Sequence, residues 1–456
     1  MTERTMLMRV VALLSLAWST LAAHGVAQAR HPQPAARPNV VLVLMDDLGY
    51  GDVGSYGGPD AKTPNIDRLA REGVRLTDAY ANGPVCTPTR AALISGRYQQ
   101  RVGLEWVLEG PPPNPDGGLP VTGTSLPALL KTNGYATGLV GKWHLGWKPE
   151  FGPNAHGFDE FYGFLSGAHD YYTRAPDGPS DLYENTTPVE PAGYLTDEIT
   201  RRAVNFITRR AGGPFFLEVA YNAVHWPFEP PDRPPTDADR AARRPLRQMP
   251  GDSMTATRQD YVRMLERADQ GVGEILAALD RLGLARATLV IFTNDNGGEW
   301  LSRNAPLFHR KATLWEGGIR VPLILWWPER LPAGKTSAQV AITMDLTASI
   351  IAATGTTLPD SYHPDGIDLL PILRGDAPLR DRNLFWRINR PSRQQRAVRS
   401  GRWKLLSDGG LLLLFDLATD PGERTDLAAQ HLDLVIKLKD LIASWERDVD
   451  QQVHSQ

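Results

Sequence analysis

Cysteine is almost missing from this chain: Cys86 is the only one in 456 residues. No intramolecular disulfide can form, so this sulfur serves either packing or chemistry. Charge of one sign is missing too. A formal net charge of -3 argues against a general nucleic-acid binder. No internal repeat or long low-complexity tract is present. The apolar run Val10 to Ala23 is short of the roughly 20 residues of a membrane span and contains Ser15, Ser19 and Thr20. With Arg4 and Arg9 on its N-terminal side and Ala27-Gln28-Ala29 after it, it predicts an export signal over residues 1–29. No second arginine adjoins Arg4 or Arg9, which argues against a twin-arginine signal. No cysteine follows closely enough to carry a lipid. The expectation is a periplasmic or secreted protein without a membrane anchor, large enough to do without disulfides.

Apolar residues make up 42% of the chain, enough for a large core with a smaller appendage. Four apolar runs each end in polar residues. Val40 to Met45 leads into Asp46-Asp47, and Thr288 to Thr293 leads into Asn294-Asp295-Asn296-Gly297-Gly298. Phe215 to Tyr221 is followed by His225-Trp226-Pro227, and Gly138-Leu139-Val140 precedes Gly141-Lys142-Trp143-His144. Near-continuous apolar strands predict a sheet covered by helices on both faces. One such helix is expected from about Gln259 to Leu282, with Tyr261, Met264, Leu265, Ala268, Val272, Ile275, Leu276 and Leu279 on one stripe. Ligands of such sheets bind beyond the carboxyl ends of the strands, so the four polar ends are expected to converge.

Asp46, Asp47, Asp295 and Asn296 offer four hard oxygen side chains, a set that suits Ca2+ or Mg2+ far better than zinc. Asp-Asp and Asp-Asn-Gly-Gly are also ordinary turn formers. The nearby Asp52 is expected to serve the Gly-rich loop. Around Cys86, Thr87-Pro88 followed by Thr89-Arg90-Ala91-Ala92-Leu93-Ile94 predicts a helix start, with Gly96 as its stop. Cys86 then lies at a helix N-terminus, which favours negative charge. The C-x5-R loop of thiolate phosphatases is excluded, because residue 92 is Ala.

The run Cys86-Thr87-Pro88-Thr89-Arg90 instead resembles the C-x-P-x-R sequence that type I sulfatases present for conversion of cysteine to formylglycine. Gly141-Lys142-Trp143-His144-Leu145-Gly146, Thr63-Pro64-Asn65-Ile66-Asp67-Arg68-Leu69-Ala70 and the element around Glu316-Gly317-Gly318 extend the resemblance from about Asn39 to Trp445. It implies an α/β, alkaline-phosphatase-like fold: a large mixed β-sheet sandwiched between helices, with a small C-terminal antiparallel sheet and one helix. The expected divisions are a signal over 1–29, a catalytic domain over 38–378 and a subdomain over 379–456. Past Asp381, Arg396–Arg399, Trp403–Leu406 and Leu411–Phe415 predict short strands and Leu434 to Trp445 a final helix.

By this resemblance the protein is an exported sulfatase acting on sulfate esters of a carbohydrate, such as a glycosaminoglycan, or on aryl sulfates. Asp46, Asp47, Asp295, Asn296 and the modified Cys86 hold Ca2+, with Mg2+ as the alternative. A formylglycine-generating enzyme is the implied transient partner. One oxygen of the formylglycine hydrate attacks sulfur and displaces the alcohol, and His225 protonates that leaving oxygen. Deprotonation of the second hydroxyl, with help from His144, then expels sulfate and restores the aldehyde. Lys142 and Lys311 offset charge on the sulfate oxygens, and Arg90 orients the formylglycine. Leu307-Phe308-His309-Arg310 departs from the family pattern and leaves Arg310 as an alternative to Lys311.

Gly157 to Gly163 and Gly167 to Tyr172 look most like N-acetylgalactosamine sulfatases and their bacterial relatives, with His169 as either a substrate contact or a structural residue. The loop Asp232 to Pro250 carries five arginines, which fits a polyanionic glycan or simply a solvated surface. Two rival classes remain. One is a phosphodiesterase or phosphonate monoester hydrolase of the same superfamily. The other is a non-catalytic secreted glycan-binding protein, which would be expected to lack some of the residues above. None is missing.

Overall fold

All seven residues of strand β1, Asn39–Met45, are buried. Val41, Val43 and Met45 enter one apolar cluster, while Val40, Leu42 and Leu44 enter another. Alternate strand residues face opposite sides, so β1 lies inside a sheet that is covered on both faces. The structure is a computed structural model that describes residues 37–109, 117–172, 181–236 and 256–453. The expected export signal over 1–29 and loop residues 237–250, with Arg240, Arg243, Arg244 and Arg247, lie outside them.

Strand β1 pairs in parallel with β8 (Phe215–Ala220) and β9 (Thr288–Asn294). Parallel pairing continues from β8 to β4 (Ala136–Lys142) and on to β5 (Glu160–Phe164). The edges are short: β2 (Val74–Leu76), β10 (Leu323–Trp326) and β11 (Lys335–Ser337) on one side, β6 (Leu182–Glu184) and β7 (Thr187–Pro188) on the other. The order of the ten strands is β11-β2-β10-β9-β1-β8-β4-β5-β6-β7, with β10 antiparallel to β9. A separate pair joins β3 (Ala79–Tyr80) to β12 (Ala341–Ile342).

Helices α1 (Pro64–Glu72), α4 (Leu195–Arg210) and α5 (Arg258–Arg281) pack on the Val41 face. Helices α2 (Cys86–Ser95), α3 (Leu126–Thr132), α7 (Met344–Thr354) and α8 (Leu370–Arg374) pack on the other, and α6 (Glu316–Ile319) is a single turn. The α5 stripe from Tyr261 to Leu279 is fully buried as its spacing predicts. A capping box starts that helix: Thr257 accepts from Asp260 N, and Asp260 accepts from Thr257 N. Gly96 ends α2 in the left-handed conformation, φ 66°.

The C-terminal sheet has four antiparallel strands, β13 (Asn383–Arg390), β14 (Arg393–Ser400), β15 (Trp403–Asp408) and β16 (Leu411–Asp416). Helix α9 (Leu432–Val453) packs Leu438 and Ile442 against Val398, Leu405 and Leu414. Strand β13 is absent from the sequence reading. Its Leu384, Trp386 and Ile388 alternate correctly, but Arg387 is buried among them, bonded to Glu105 and Asp450. No helix of the described residues is long and apolar enough to cross a membrane.

Candidate active site

The register of the parallel strands brings their carboxyl ends level. Met45 pairs with Asn294, Leu44 with Ala220, and Ala220 with Gly141. Just beyond these pairs lie Asp46 and Asp47, Asp295 and Asn296, Lys142 and His144, and His225. Lys142 is the last residue of β4 rather than a loop residue. Gly141 has φ 114°, and a Cβ there would lie 1.9 Å from the Ala220 carbonyl oxygen. Only glycine lets β4 pass β8 at that point. Asp47 (φ 59°) and His144 (φ 57°) occupy the left-handed region without being glycine, a local strain typical of functional sites.

Cys86 opens α2 with its side chain buried, Sγ 3.6 Å from Asp46 Oδ1. One ligand atom from each of Asp46, Asp47, Cys86 and His225 lies within 4.8 Å of the others. Arg90, one turn along α2, donates to Asp295 Oδ2 at 3.0 and 2.8 Å and to the Lys142 carbonyl at 3.0 Å. Its guanidinium therefore fixes a carboxylate, and Asp46 Oδ2 is a further 3.8 Å contact. Lys142 Nζ bonds Asp46 Oδ2.

Lys311 reaches the site through its loop. Its amide donates to Gly298 O at 3.2 Å and the Ala312 amide to Pro84 O at 2.8 Å. Gly297 donates to Gly318 O at 2.9 Å, an approach that a Cβ on Gly297, 1.9 Å from Gly317 O, would block. Lys311 Nζ then lies 2.7 Å from Asp47 Oδ1. Arg310 is exposed and packs over Trp300. Between the two, Lys311 is the one that enters the site. Glu299, which the sequence reading missed, stands 3.7 Å from Lys311 Nζ. It follows directly on Gly297-Gly298, and only the fold turns it back toward Asp47.

The two histidines are held in defined tautomers, because a carbonyl oxygen only accepts. His225 Nδ1 donates to Trp226 O, which aims Nε2 at the site, 3.5 Å from Asp47 Oδ2. His144 Nε2 donates to Leu108 O at 3.0 Å, and its buried Nδ1 has no hydrogen-bond partner. Burial lowers the pKa of both rings, most strongly at His144, where Lys142 adds to the effect. His144 can thus hold a lone pair on Nδ1 near neutral pH, while Asp47 works against burial at His225. Thr87 supports His144, donating to its carbonyl and accepting from Leu108 N, both at 3.1 Å.

Burial pushes the Cys86 thiol far up, against Lys142 and Lys311. Burial also acts to raise Asp46, but Lys142, His225 and Arg90 outweigh it and hold that carboxylate well below its usual range. Burial and Asp46 raise Asp295 to about 6. Asp295 Oδ1 and Asn296 Oδ1 are buried without a hydrogen-bond partner. Buried polar atoms are rarely left so, and two orphaned hard oxygens beside Asp46 and Asp47 fit a divalent cation. Two other expected features lie apart from this cluster. Asp52 accepts from Gly49 N and Tyr261 Oη and orders the glycine loop. His169 is buried, its Nδ1 against Asp170 O.

The family model described as sulfatase matches residues 38–356, and the model for the C-terminal part of N-sulphoglucosamine sulphohydrolase matches 306–448. The N-acetylgalactosamine-6-sulfatase of Canis lupus familiaris is 38% identical over 392 residues, 80% of this chain and 71% of that protein. Arylsulfatase A of Bos taurus is 34% identical over 455 residues, 86% of this chain and 84% of that protein. The crystal structure of Ps i-CgsB in complex with k-i-k-neocarrahexaose superposes with TM-score 0.81 at 33% identity. It covers 91% of this chain and 94% of that one.

Proposed function

Because the chain belongs to the sulfatase family and is a sulfuric ester hydrolase, we propose that it desulfates a carbohydrate with a formylglycine made from Cys86. The observation that carries this is the meeting of Cys86, three aspartates, two lysines and two histidines at one strand edge. The substrate class is supported by the names of the relatives: one is an N-acetylgalactosamine-6-sulfatase, and one solved structure holds a neocarrahexaose.

An unmodified Cys86 is a poor nucleophile here, because burial keeps the thiol protonated. The hydrated aldehyde supplies a hydroxyl nucleophile in its place and requires a modifying enzyme before or during export. Asp46, Asp47, Asp295 and Asn296 would hold the Ca2+ or Mg2+, with Cys86 beside them; the ion supplies Lewis-acid polarisation and charge compensation.

The chain's own residues do the rest. Arg90 locks Asp295, and through it the acidic set. Lys142 and Lys311 are buried ammonium groups aimed into the site, fit to balance sulfate oxygens; such preorganised donors are each worth roughly 3 to 4 kcal/mol. His225, whose Nε2 faces Asp47, serves the leaving oxygen as proton donor from its protonated form. His144 Nδ1 accepts the proton whose removal allows sulfate to depart.

Mass spectrometry of the tryptic peptide Leu76 to Arg90 from the native source tests the nucleophile. The expected product is an aldehyde at position 86, reactive to hydrazide and inert to thiol alkylation. A wholly unmodified thiol refutes it. Turnover of a phosphodiester but no sulfate ester would restore the phosphodiesterase alternative.

A further inference from the structure

The site is closed on the side of Lys142 and Asp46, both without side-chain exposure, and opens where Glu299 is 21% exposed. Three arginines are anchored on segments that border the site. Arg310 adjoins Lys311 and lies over the Trp300 indole, next to Glu299. Arg393 donates to Ala312 O at 2.6 Å, and the Ala312 amide is bonded to Pro84, two residues before Cys86. Arg390 lies over Trp106, 5.3 Å from the ring centre, in the segment whose Leu108 carbonyl holds His144. Arg390 and Arg393 pair across the turn of the β13–β14 hairpin, which thus touches both the Trp106 segment and the Ala312 loop.

Several other surface arginines are spent on ion pairs. Arg202, Arg258, Arg263 and Arg267 each pair with a carboxylate at 2.9 Å or less. Arg310 and Arg393 have no carboxylate within ion-pair distance among the described residues, and Arg390 has only Glu109 at 3.9 Å. Two of the three guanidinium groups lie over an indole, 6.0 and 5.3 Å from the ring centres, and the third donates to a backbone carbonyl. That preorganises their forks for an oxyanion at low entropic cost.

We propose that Arg310, Arg390 and Arg393 form a second anion subsite. It takes the sulfate or carboxylate of the sugar residue next to the one being desulfated. The inference rests on the carbohydrate reading above and adds a specificity: the enzyme selects an anionic neighbour, and the C-terminal hairpin supplies two of the three contacts.

The test uses three disaccharides that share one sulfated target residue, with a neighbour that is sulfated, carboxylated or neutral. Wild-type kcat/KM is expected to favour at least one anionic neighbour by on the order of tenfold, as charge-assisted contacts permit; the arm that shows it identifies the anion. The preference should sit in KM, weaken with added salt and disappear in the R310A/R393A variant. A structural effect would lower all three substrates together. Equal kcat/KM for the three, or a preference that survives R310A/R393A or is indifferent to salt, overturns the subsite. No turnover of any disaccharide, while an aryl sulfate is hydrolysed, instead overturns the carbohydrate reading and the subsite with it.

Discussion

At the seam between the ten-stranded and four-stranded sheets, Lys404 Nζ lies 2.9 Å from Glu316 Oε1 and 2.8 Å from Glu423 Oε1. Arg320 bonds Glu316 and Asp78, and Arg399 bonds Asp78 and the Tyr80 hydroxyl. Three buried or half-buried acids thus meet three bases. The strand-end cluster is built from the same residue types with a different balance. Asp46, Asp47, Asp295 and Glu299 face Arg90, Lys142 and Lys311, and two buried oxygens are left without partners. The balanced network holds two sheets together, and its one buried carboxylate oxygen without a hydrogen bond, Glu423 Oε1, still has Lys404 Nζ 2.8 Å away. A network with surplus acceptors is poised for something from outside. Burial and charge alone do not distinguish a structural cluster from a catalytic one; the unspent atoms do.

The largest effect expected is on the catalytic side. Cys86→Ala should cut turnover of a sulfate ester by a factor on the order of 10³ to 10⁶, while unfolding free energy drops by less than about 2 kcal/mol. A variant that retains a tenth of the activity would mean that position 86 is not the nucleophile. The seam should respond the other way. Lys404→Met leaves Glu316 and Glu423 facing each other without their cation, and loss of one partner in a buried pair costs about 3 to 5 kcal/mol. Denaturant titration reads that loss, and the molecules still folded should turn over normally. Lost turnover at unchanged stability would make the seam part of the site.

A divalent cation sharpens the contrast. At a hundred times its Kd, Ca2+ binding to the native state alone raises stability by about 2.7 kcal/mol. Thermal melts should show this for wild type and for Lys404→Met, and should not show it for Asn296→Ala. An identical shift in Asn296→Ala would place the ion elsewhere.

Much of this is legible in the amino-acid sequence, and the reason is periodicity. Fully buried parallel strands leave continuous apolar runs, so β1, β8, β9 and the end of β4 announce themselves, and with them Asp46, Asp47, Asp295, Asn296, Lys142, His144 and His225. The Cys86-to-Arg90 run names a chemistry. What escaped depends on contacts distant in sequence. Strand β13 is disguised by Arg387, whose burial makes sense only beside Glu105 and Asp450. Glu299 looks like a loop acid until Lys311 is folded against it. The bonds of Arg90 to Asp295 and the Lys142 carbonyl likewise join residues far apart in the chain. Lys404 sits in a plain strand pattern, and nothing local says that two glutamates from other segments surround it.

The smallest predicted effects make the most searching comparison, because they remove the same group from each cluster. The Tyr80 hydroxyl donates to Glu316 Oε2 at 2.7 Å and accepts from Arg399. The Thr87 hydroxyl donates to the His144 carbonyl and accepts from Leu108 N. Tyr80→Phe and Thr87→Val each strip one buried bridging hydroxyl and should each cost about 1 to 3 kcal/mol of stability. Their kinetics should part. Leu108 holds His144 Nε2 through its carbonyl and is itself held by Thr87, so Thr87→Val loosens the ring whose buried Nδ1 is left without a partner, and kcat should fall. Tyr80→Phe has no such route to a reacting atom and should leave kcat where it was. Equal kinetic losses at equal stability would mean that the two clusters work as one electrostatic unit, joined through the turn Glu316–Ile319 that belongs to the seam and braces Gly297.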